Sequence, residues 1–493
     1  MCENDSLPRI TPIKVRPEMR IKILSDEDVE KIHQATLNVL EEVGVKFPSE
    51  KALKIFAEAG AKVDFKSQIV KIPSDLLMNS LSKAPRSYIF ASREDRNLDL
   101  YFDGTKTYFG TDGTGTATID LETRQRRTST KKDVEMMAII SDYLPSISFY
   151  CALVSAQDVP SKVIPLHELE AGFVNTEKHI QTETTEDERV ARYAVEMAKT
   201  IAGGSEALKK RPVLDCFVCT IAPLRQDKGG IESALVFAEA GIPVGFMAMP
   251  SLGITAPASM ASAMVIGNAE IISAMCLIQI AYPGAPVYYS FIPGVGNPYT
   301  GGFVLGAPQK TVLNAAGIQV GHYYNVPVMS GAFGATDAHE PDSWQAGMEV
   351  SRGPLSVCLT GADFSVGLGL LESFTLLYPE KILFDNEIFN VVKTVTEGVK
   401  VDAETLALDE IAAVGPGGHF LGREYTRKKL RELWQPGILH QWSPEKRGFL
   451  EPQEAAIEKV KWILKNHKPK PLDDKVKEEL KRILKAAEKE LCS

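Results

Sequence analysis

The chain has 493 residues, too many for one small domain but enough for one large barrel with extensions. Hydrophobic residues make up 44% and charged residues 24%, as in ordinary globular proteins, and a net charge of -9 argues against duplex nucleic acid as a partner. The most apolar stretch, 258–281, is interrupted by Asn268, Glu270 and Gln279, so no membrane span is expected.

Residues 1–100 read as a mostly helical lead-in. The first twenty lack the apolar core of a signal peptide, and seven scattered cysteines suit a reducing compartment, so a cytoplasmic location is expected. The stretch "SDEDVEKIHQATLNVLEE" (25–42) starts with a capping serine and an acidic first turn, then spaces its apolar residues for a helix. At 49–60, Ser49 caps a second helix and Gly60 stops it.

The span 101–430 changes character. "TYFGTDG", "SISFYCALVSAQD" and "KHIQTET" read as strands. Four apolar runs follow: "RPVLDCFVCTIAPL", "GIPVGFMAMP", "GAPVYYSFIPG" and "NVPVMSGAFG". Each opens on a proline (Pro212, Pro243, Pro286, Pro327), tolerated at the start of a strand because it need not donate to the ladder there. Helix-like segments at 229–240, 258–282 and 309–324 separate them, and "LTGADFSVG" supplies a final strand. Eight apolar strand candidates between Thr107 and Gly367, alternating with helices, predict an α/β fold, a (β/α)8 TIM barrel; a doubly wound open sheet is the alternative. Residues 431–493 read as a helical extension, with "PLDDKVKEELKRILKAAEKEL" a water-facing amphipathic helix.

In a barrel, chemistry sits on the loops after the strands' carboxyl ends. The seventh strand runs into "SGAFGATDAHEPDSW", which puts Gly331 at the strand end and Asp337, His339 and Glu340 on the reactive rim, with Pro341 at a first helical position. The glycine clusters at 110–116 and 291–302 lack the spacing of phosphate-binding loops and read as small-residue rim segments. Cys216 and Cys219, three apart on one strand, fall on opposite faces and read as core residues rather than a zinc pair.

"LKKRPVLDCFVCTIAPL", "EAGIPVGFMAMPSLGITAPASMASAMVIGNAEII", "YPGAPVYYSFIP", "TDAHEPDSWQAG" and the tail motifs "LWQPGILHQWSP" and "ILKNHKPKPLDD" together resemble the trimethylamine methyltransferase superfamily over nearly the whole chain. The resemblance implies a (β/α)8 barrel that moves a methyl group from an amine to the Co(I) of a corrinoid protein. Founding members carry pyrrolysine near the seventh strand. This chain has only the standard twenty residues, so it resembles the non-pyrrolysine branch, which demethylates quaternary amines such as glycine betaine, other betaines and carnitine. The cobalamin then belongs to a partner protein, with no cofactor or metal bound tightly by this chain, and a homo-oligomer is expected.

That chemistry needs positioning, exclusion of water and a pocket that accepts a cation. Aromatic faces suit it; Phe291 and Phe333 are the first candidates, followed by Tyr289, Phe109 and Phe364, with Tyr108, Tyr150, Phe217 and Phe246 also near strand ends. A substrate carboxylate would find a donor in Arg225 or His339, Asp337 would orient His339 or line the pocket, and Glu183 would balance the substrate's charge. Two other readings stand beside this one: a metal-assisted lyase or hydrolase using Asp337, His339 and Glu340, and a betaine-binding protein without turnover.

Overall fold

The computed structural model describes residues 8–14, 16–183, 185–331, 333, 336–430, 432–433 and 437–492, so parts of the quoted motifs "NVPVMSGAFG" and "LWQPGILHQWSP" lie outside the described residues. Eight parallel strands form the centre: β1 (Lys106–Thr111), β2 (Phe149–Cys151), β3 (His179–Thr182), β4 (Leu214–Cys219), β5 (Val244–Ala248), β6 (Val287–Phe291), β7 (Val328–Gly331) and β8 (Phe364–Leu368). Pairing of Phe364 with Tyr108 and of Ser365 with Phe109 joins β8 to β1 and closes the ring. A helix follows each strand: α1 (Lys131–Tyr143), α2 (Ile164–Asn175), α3 (Glu188–Ala202), α4 (Lys228–Glu239), α5 (Met260–Ala281), α6 (Pro308–Tyr323), α7 (Trp344–Thr360) and α8 (Lys381–Glu397). The molecule is the expected (β/α)8 barrel, and its closure rules out the open sheet.

The prolines explain how the strands start. The carbonyls of Pro243, Pro286 and Pro327 accept from Cys216, Val244 and Tyr289, each at 3.0 Å. A proline here contributes the acceptor that its neighbour needs and has no N–H to leave unpaired. Pro341 is different. The helix begins three residues later, at Trp344, where Ser343 Oγ accepts from Ala346 N at 3.2 Å, so the serine cap and not the proline sets the start of α7.

The first hundred residues contain the helices Asp26–Asn38, with Ser25 and Asp28 closing a capping box, and Glu50–Glu58, capped by Ser49 and followed by Gly60 at φ +95°. They also contain strands that the helical expectation did not include. Val45–Lys46, Lys62–Asp64 and Ile69–Lys71 form a small antiparallel sheet, and Ile89–Phe90 pairs with Leu100–Tyr101 in a hairpin. These strands are short, with long-range partners that local pattern does not reveal. The hairpin closes the amino end of the barrel: Phe90 stacks on His179 at 4.2 Å, and Phe102 packs on Phe364 at 4.8 Å.

Helix α5 is long and apolar enough to cross a membrane, but most of it is buried inside the protein. Its polar residues have protein partners. Asn268 donates to Thr36 Oγ1 (2.9 Å) and to the Tyr324 hydroxyl (2.8 Å), Glu270 accepts from the Thr220 hydroxyl (2.5 Å) and Leu224 N (2.8 Å), and Gln279 donates to Ala285 O (2.7 Å). Such fixed pairs mark a core helix. At the other end of the chain, helices Pro452–Asn466 and Asp474–Leu491 bury one face each, the last through Leu480, Ile483, Leu484, Ala487 and Leu491.

Candidate functional site

Strand alternation decides which side chains enter the barrel. Tyr108, Phe149, Phe217, Met247, Tyr288, Met329 and Phe364 pack together inside, above the hairpin. Deep among them lies a polar network. Asp215 takes the Tyr288 hydroxyl at 2.6 Å and Gln181 Nε2 at 2.9 Å, and His179 Nε2 lies 2.9 Å from its other oxygen. Asp215 and His179 are fully buried, so these bonds satisfy groups that water cannot reach.

Two strands carry this inward phase up to the carboxyl end. On β3 the series His179, Gln181 leads to Glu183; on β1 Tyr108 and Gly110 lead to Asp112. Gly113 brings the two acids together: a Cβ there would lie 2.2 Å from Ala152 O and 2.7 Å from Glu183 Oε1, so only glycine permits this close approach. Burial pushes the Asp112 carboxyl up to about 7, against the bond it accepts from Gly113 N and the charge of Lys310. Burial, then the charges of Asp112 and Glu168, hold Glu183 well above the usual carboxylate range. Glu183 Oε1 is shut from solvent with no hydrogen-bond partner among the described residues, as is Gln181 Oε1 beneath it. Two carboxyls so placed resist ionising together, and a cation beside them eases it.

Around them, Cys219 at the inner end of β4 keeps accessible surface, and its thiol is held high by enclosure and by the charges of Glu183 and Asp112. A space of about 10 Å³, the size of one water, lies beside Glu183 between the strands and α2, against Tyr150, Glu168, Leu169, Ile180 and Thr182. Lys310, in the first turn of α6, is buried, with its amine 5.9 Å from the Phe374 ring. Loop sheets flank the mouth: Ser251–Leu252 with Gly294–Gly296 and Phe303–Val304, and Ala117–Ile119 with Arg126–Thr128, Leu370–Leu371 and Leu376–Leu377. By contrast, a cleft of about 520 Å³ on the outer surface holds Arg189, Arg192 and Lys199, each already paired with a carboxylate.

Of the residues expected from sequence, Glu183 lies in this cup and Gly331 ends β7 with its Cα facing Ile292 across the interior. The aromatic candidates lie elsewhere. Phe291 points outward, clamped between α5 and α6: a Cβ on Gly267 or Gly317 would lie 2.5 or 2.7 Å from its ring. Tyr289 also points outward and stacks on Tyr324. Phe109 packs on Phe333 at 5.4 Å and on Phe389 of α8 at 5.5 Å, so both belong to the layer between strands and helices. Phe364 is inside but sits at the closed amino end. The sequence choice took the wrong phase of β1 and β6.

The rim acids and histidine also separate. His339 is exposed, with Nδ1 2.7 Å from Glu372 Oε1. Asp337 is half-buried and binds its own framework, accepting from Gly306 N (2.9 Å), Leu305 N (3.3 Å) and the Ser373 hydroxyl. Glu340 is exposed, and no group of three metal-ligating side chains occurs among the described residues. Arg225 is exposed on the loop after β4, where its backbone pairs with Lys46 and Ile221. Asp112, Lys310 and the Asp215 network escaped the sequence reading. Their signal was the polar residues themselves: in strands of mostly apolar residues, Gln181 and Asp215 mark the inward phase, and counting by twos reaches Glu183 and Cys219.

A family model described as trimethylamine methyltransferase (MTTB) matches residues 3–492. The trimethylamine methyltransferase MttB of Desulfitobacterium hafniense (strain DSM 10664 / DCB-2) is 32% identical over 469 residues, 94% of each chain. The glycine betaine methyltransferase of Desulfitobacterium hafniense (strain Y51) is 30% identical, covering 96% of this chain and 98% of that one. Among solved structures, the Methanosarcina barkeri monomethylamine methyltransferase (MtmB) aligns over 89% of this chain and 92% of its own, with 11% identity and a TM-score of 0.48. The chain is a methyltransferase and belongs to the trimethylamine methyltransferase family.

Proposed function

We propose that this methyltransferase takes its methyl group from a quaternary amine of the betaine type and passes it to the Co(I) of a corrinoid carried by a partner protein. The observation that carries the reading is the buried pair Asp112 and Glu183 at the carboxyl end of the barrel. A buried carboxyl pair on which only Lys310 acts as a cation, and that on the Asp112 side, ionises more readily against a further cation, and a quaternary ammonium is a cation that can donate no hydrogen bond and needs none. The presence of a glycine betaine methyltransferase among the relatives supports the same substrate class.

The chemistry fits these groups. When the methyl carbon leaves nitrogen, the C–N electron pair stays on nitrogen and the product is a neutral tertiary amine. No proton has to be supplied, and the acceptor provides the electron pair of the new bond to carbon. The cup therefore has to position the ammonium and exclude water. With substrate bound the pair gives up one of its two protons and keeps the other, so it offers about one negative charge instead of two and holds the ground state without binding it so tightly that the barrier rises. After transfer the amine is neutral, the attraction is gone, and the pair takes up its proton again as product leaves.

The corrinoid is the second substrate and belongs to the partner, so this chain is proposed to hold no cofactor tightly. The mouth between the two loop sheets is where such a flat group would approach. A cytoplasmic homo-oligomer is part of the same reading. Exposed Val399, Val401, Leu408 and Leu421 after α8 support an assembly of copies.

The test is a panel of quaternary and tertiary amines with free Co(I) cobalamin, followed by the absorbance of methylcobalamin, with and without a chelator. Transfer from a quaternary amine that survives chelation is expected, and Asp112→Asn is expected to lower kcat/KM about 10- to 100-fold. Failure of every quaternary amine to methylate cobalt overturns the reading. Binding without transfer would favour the amine-binding protein, and chelator-sensitive turnover would favour the metal enzyme.

A further inference from the structure

We propose that Lys310 sets the specificity of this site by receiving the carboxylate of a zwitterionic N-methyl substrate whose cationic end lies at Asp112 and Glu183. The inference rests on the reading of the cup as an amine pocket and adds to it the other end of the molecule.

Lys310 is 2% exposed, and its Nζ has no hydrogen-bond partner among the described residues. A buried amine without an acceptor is costly, and a lysine stem is long enough to reach solvent where folding allows it. The described groups around it do not supply the acceptor. Asp337 acts on it through space, but its oxygens already accept from Leu305 N, Gly306 N and the Ser373 hydroxyl. Asp112 also acts through space, and Gly113 N occupies its Oδ1. Arg352 adds a repulsive charge, and Phe374 presents only a ring. An anion of the size of a carboxylate would give this amine the acceptor that no described residue offers.

The helix that carries Lys310 points the same way. Helix α6 has 16 residues, starts with Pro308, has no capping side chain on Ala307 and has no acid in its first turn. No side chain of its own first turn answers its positive end; Asp337, on the backbone N–H groups of Leu305 and Gly306, lies just ahead of it. Because α6 follows β6, this end lies on the carboxyl side of the barrel, with Asp112 and Glu183. The carboxyl end of the barrel thus carries an acidic pair and a buried amine close enough to feel the charge of Asp112. A molecule with a quaternary nitrogen and a carboxylate a few bonds apart matches both; a simple ammonium leaves the amine unanswered. Arg225, the donor expected from sequence for this task, is exposed on the loop after β4.

The experiment compares glycine betaine with tetramethylammonium, which has the same cationic head and no carboxylate. Both are measured by calorimetric binding and by kcat/KM with free Co(I) cobalamin, on the wild type, Lys310→Met and Lys310→Gln, with thermal unfolding to confirm that each variant is folded. The wild type is expected to prefer glycine betaine, and Lys310→Met to lower the betaine-to-tetramethylammonium ratio about 10- to 100-fold, with Lys310→Gln between them. An unchanged ratio in both variants overturns the proposal. So does a wild type that handles tetramethylammonium as well as glycine betaine, which decides the matter even if neither variant folds. If the wild type neither binds nor demethylates either cation, it is the amine pocket itself that has failed and Lys310 falls with it; a pocket that takes tetramethylammonium but not betaine sinks Lys310 alone.

Discussion

Tyr288 and Tyr289 are neighbours in β6 and serve opposite sides of the sheet. The Tyr288 hydroxyl donates to Asp215 Oδ2 at 2.6 Å inside the barrel, while the Tyr289 ring stacks on Tyr324 beneath the helices. Phe291, two residues on, shares the outward phase and fills the gap that Gly267 and Gly317 leave. A methyl group at Gly317 would meet the Phe291 ring at 2.7 Å. Gly317→Ala is therefore expected to destabilise by about 1–3 kcal/mol from overpacking, less the roughly 1 kcal/mol that alanine gains over glycine in a helix. In a Phe291→Leu background the penalty is expected to shrink, giving a coupling of about 0.5–3 kcal/mol in denaturant unfolding. Additive effects, or a changed KM in Phe291→Leu, would return Phe291 to the pocket.

The architecture was legible because it is written in long-range repetition. Eight apolar runs alternating with helices, several introduced by proline, leave few topologies, and the closed barrel is the economical one. The site was legible only in part. Glu183 stands out as an acid after a strand, but nearness to a strand end does not select among aromatics, because in a barrel each strand alternates between the cup and the helical layer. Tyr289, Phe291 and Phe109 are on the wrong side of that alternation by a single residue. The rim histidine failed for a different reason. Local sequence places His339 after β7 but does not say that Glu372, from the loop after β8, draws it to the surface. Lys310 was missed because a lysine in the first turn of a helix ordinarily faces water, and only the folded chain shows it enclosed.

His339→Ala is expected to leave methyl transfer within about twofold of the wild type. The side chain is exposed and its partner Glu372 also pairs with Arg126, so the lost contact is a surface hydrogen bond worth about 0–1 kcal/mol. Thermal unfolding and kcat/KM with free Co(I) cobalamin check this together. A tenfold fall in kcat/KM with unchanged stability would place His339 back at the reacting group.

The carboxyl pair and the buried amine predict different pH profiles for two ligands. Burial pushes the Asp112 carboxyl up to about 7 from an ordinary 3.8, and Glu183 is raised with it. The folded protein therefore holds a proton that the unfolded chain has lost, so between about pH 4 and 7 this pair makes the empty protein less stable as pH rises. A bound cation reverses the balance, because it favours the singly ionised pair and expels one proton. Tetramethylammonium is expected to bind more tightly as pH rises toward 7, by up to about tenfold per unit, and then to level off. Burial lowers the Lys310 amine to about 7, opposed by the charges of Asp112 and Asp337. A carboxylate at that amine requires its proton, so glycine betaine should bind best near pH 7 and weaken on both sides, a bell where the simple cation shows a plateau. Calorimetry in two buffers of different ionisation enthalpy reads the protons directly: release for tetramethylammonium below pH 7, uptake for glycine betaine above it. Two curves of the same shape would show that Lys310 does not touch the ligand, and two flat ones that the carboxyl pair does not either.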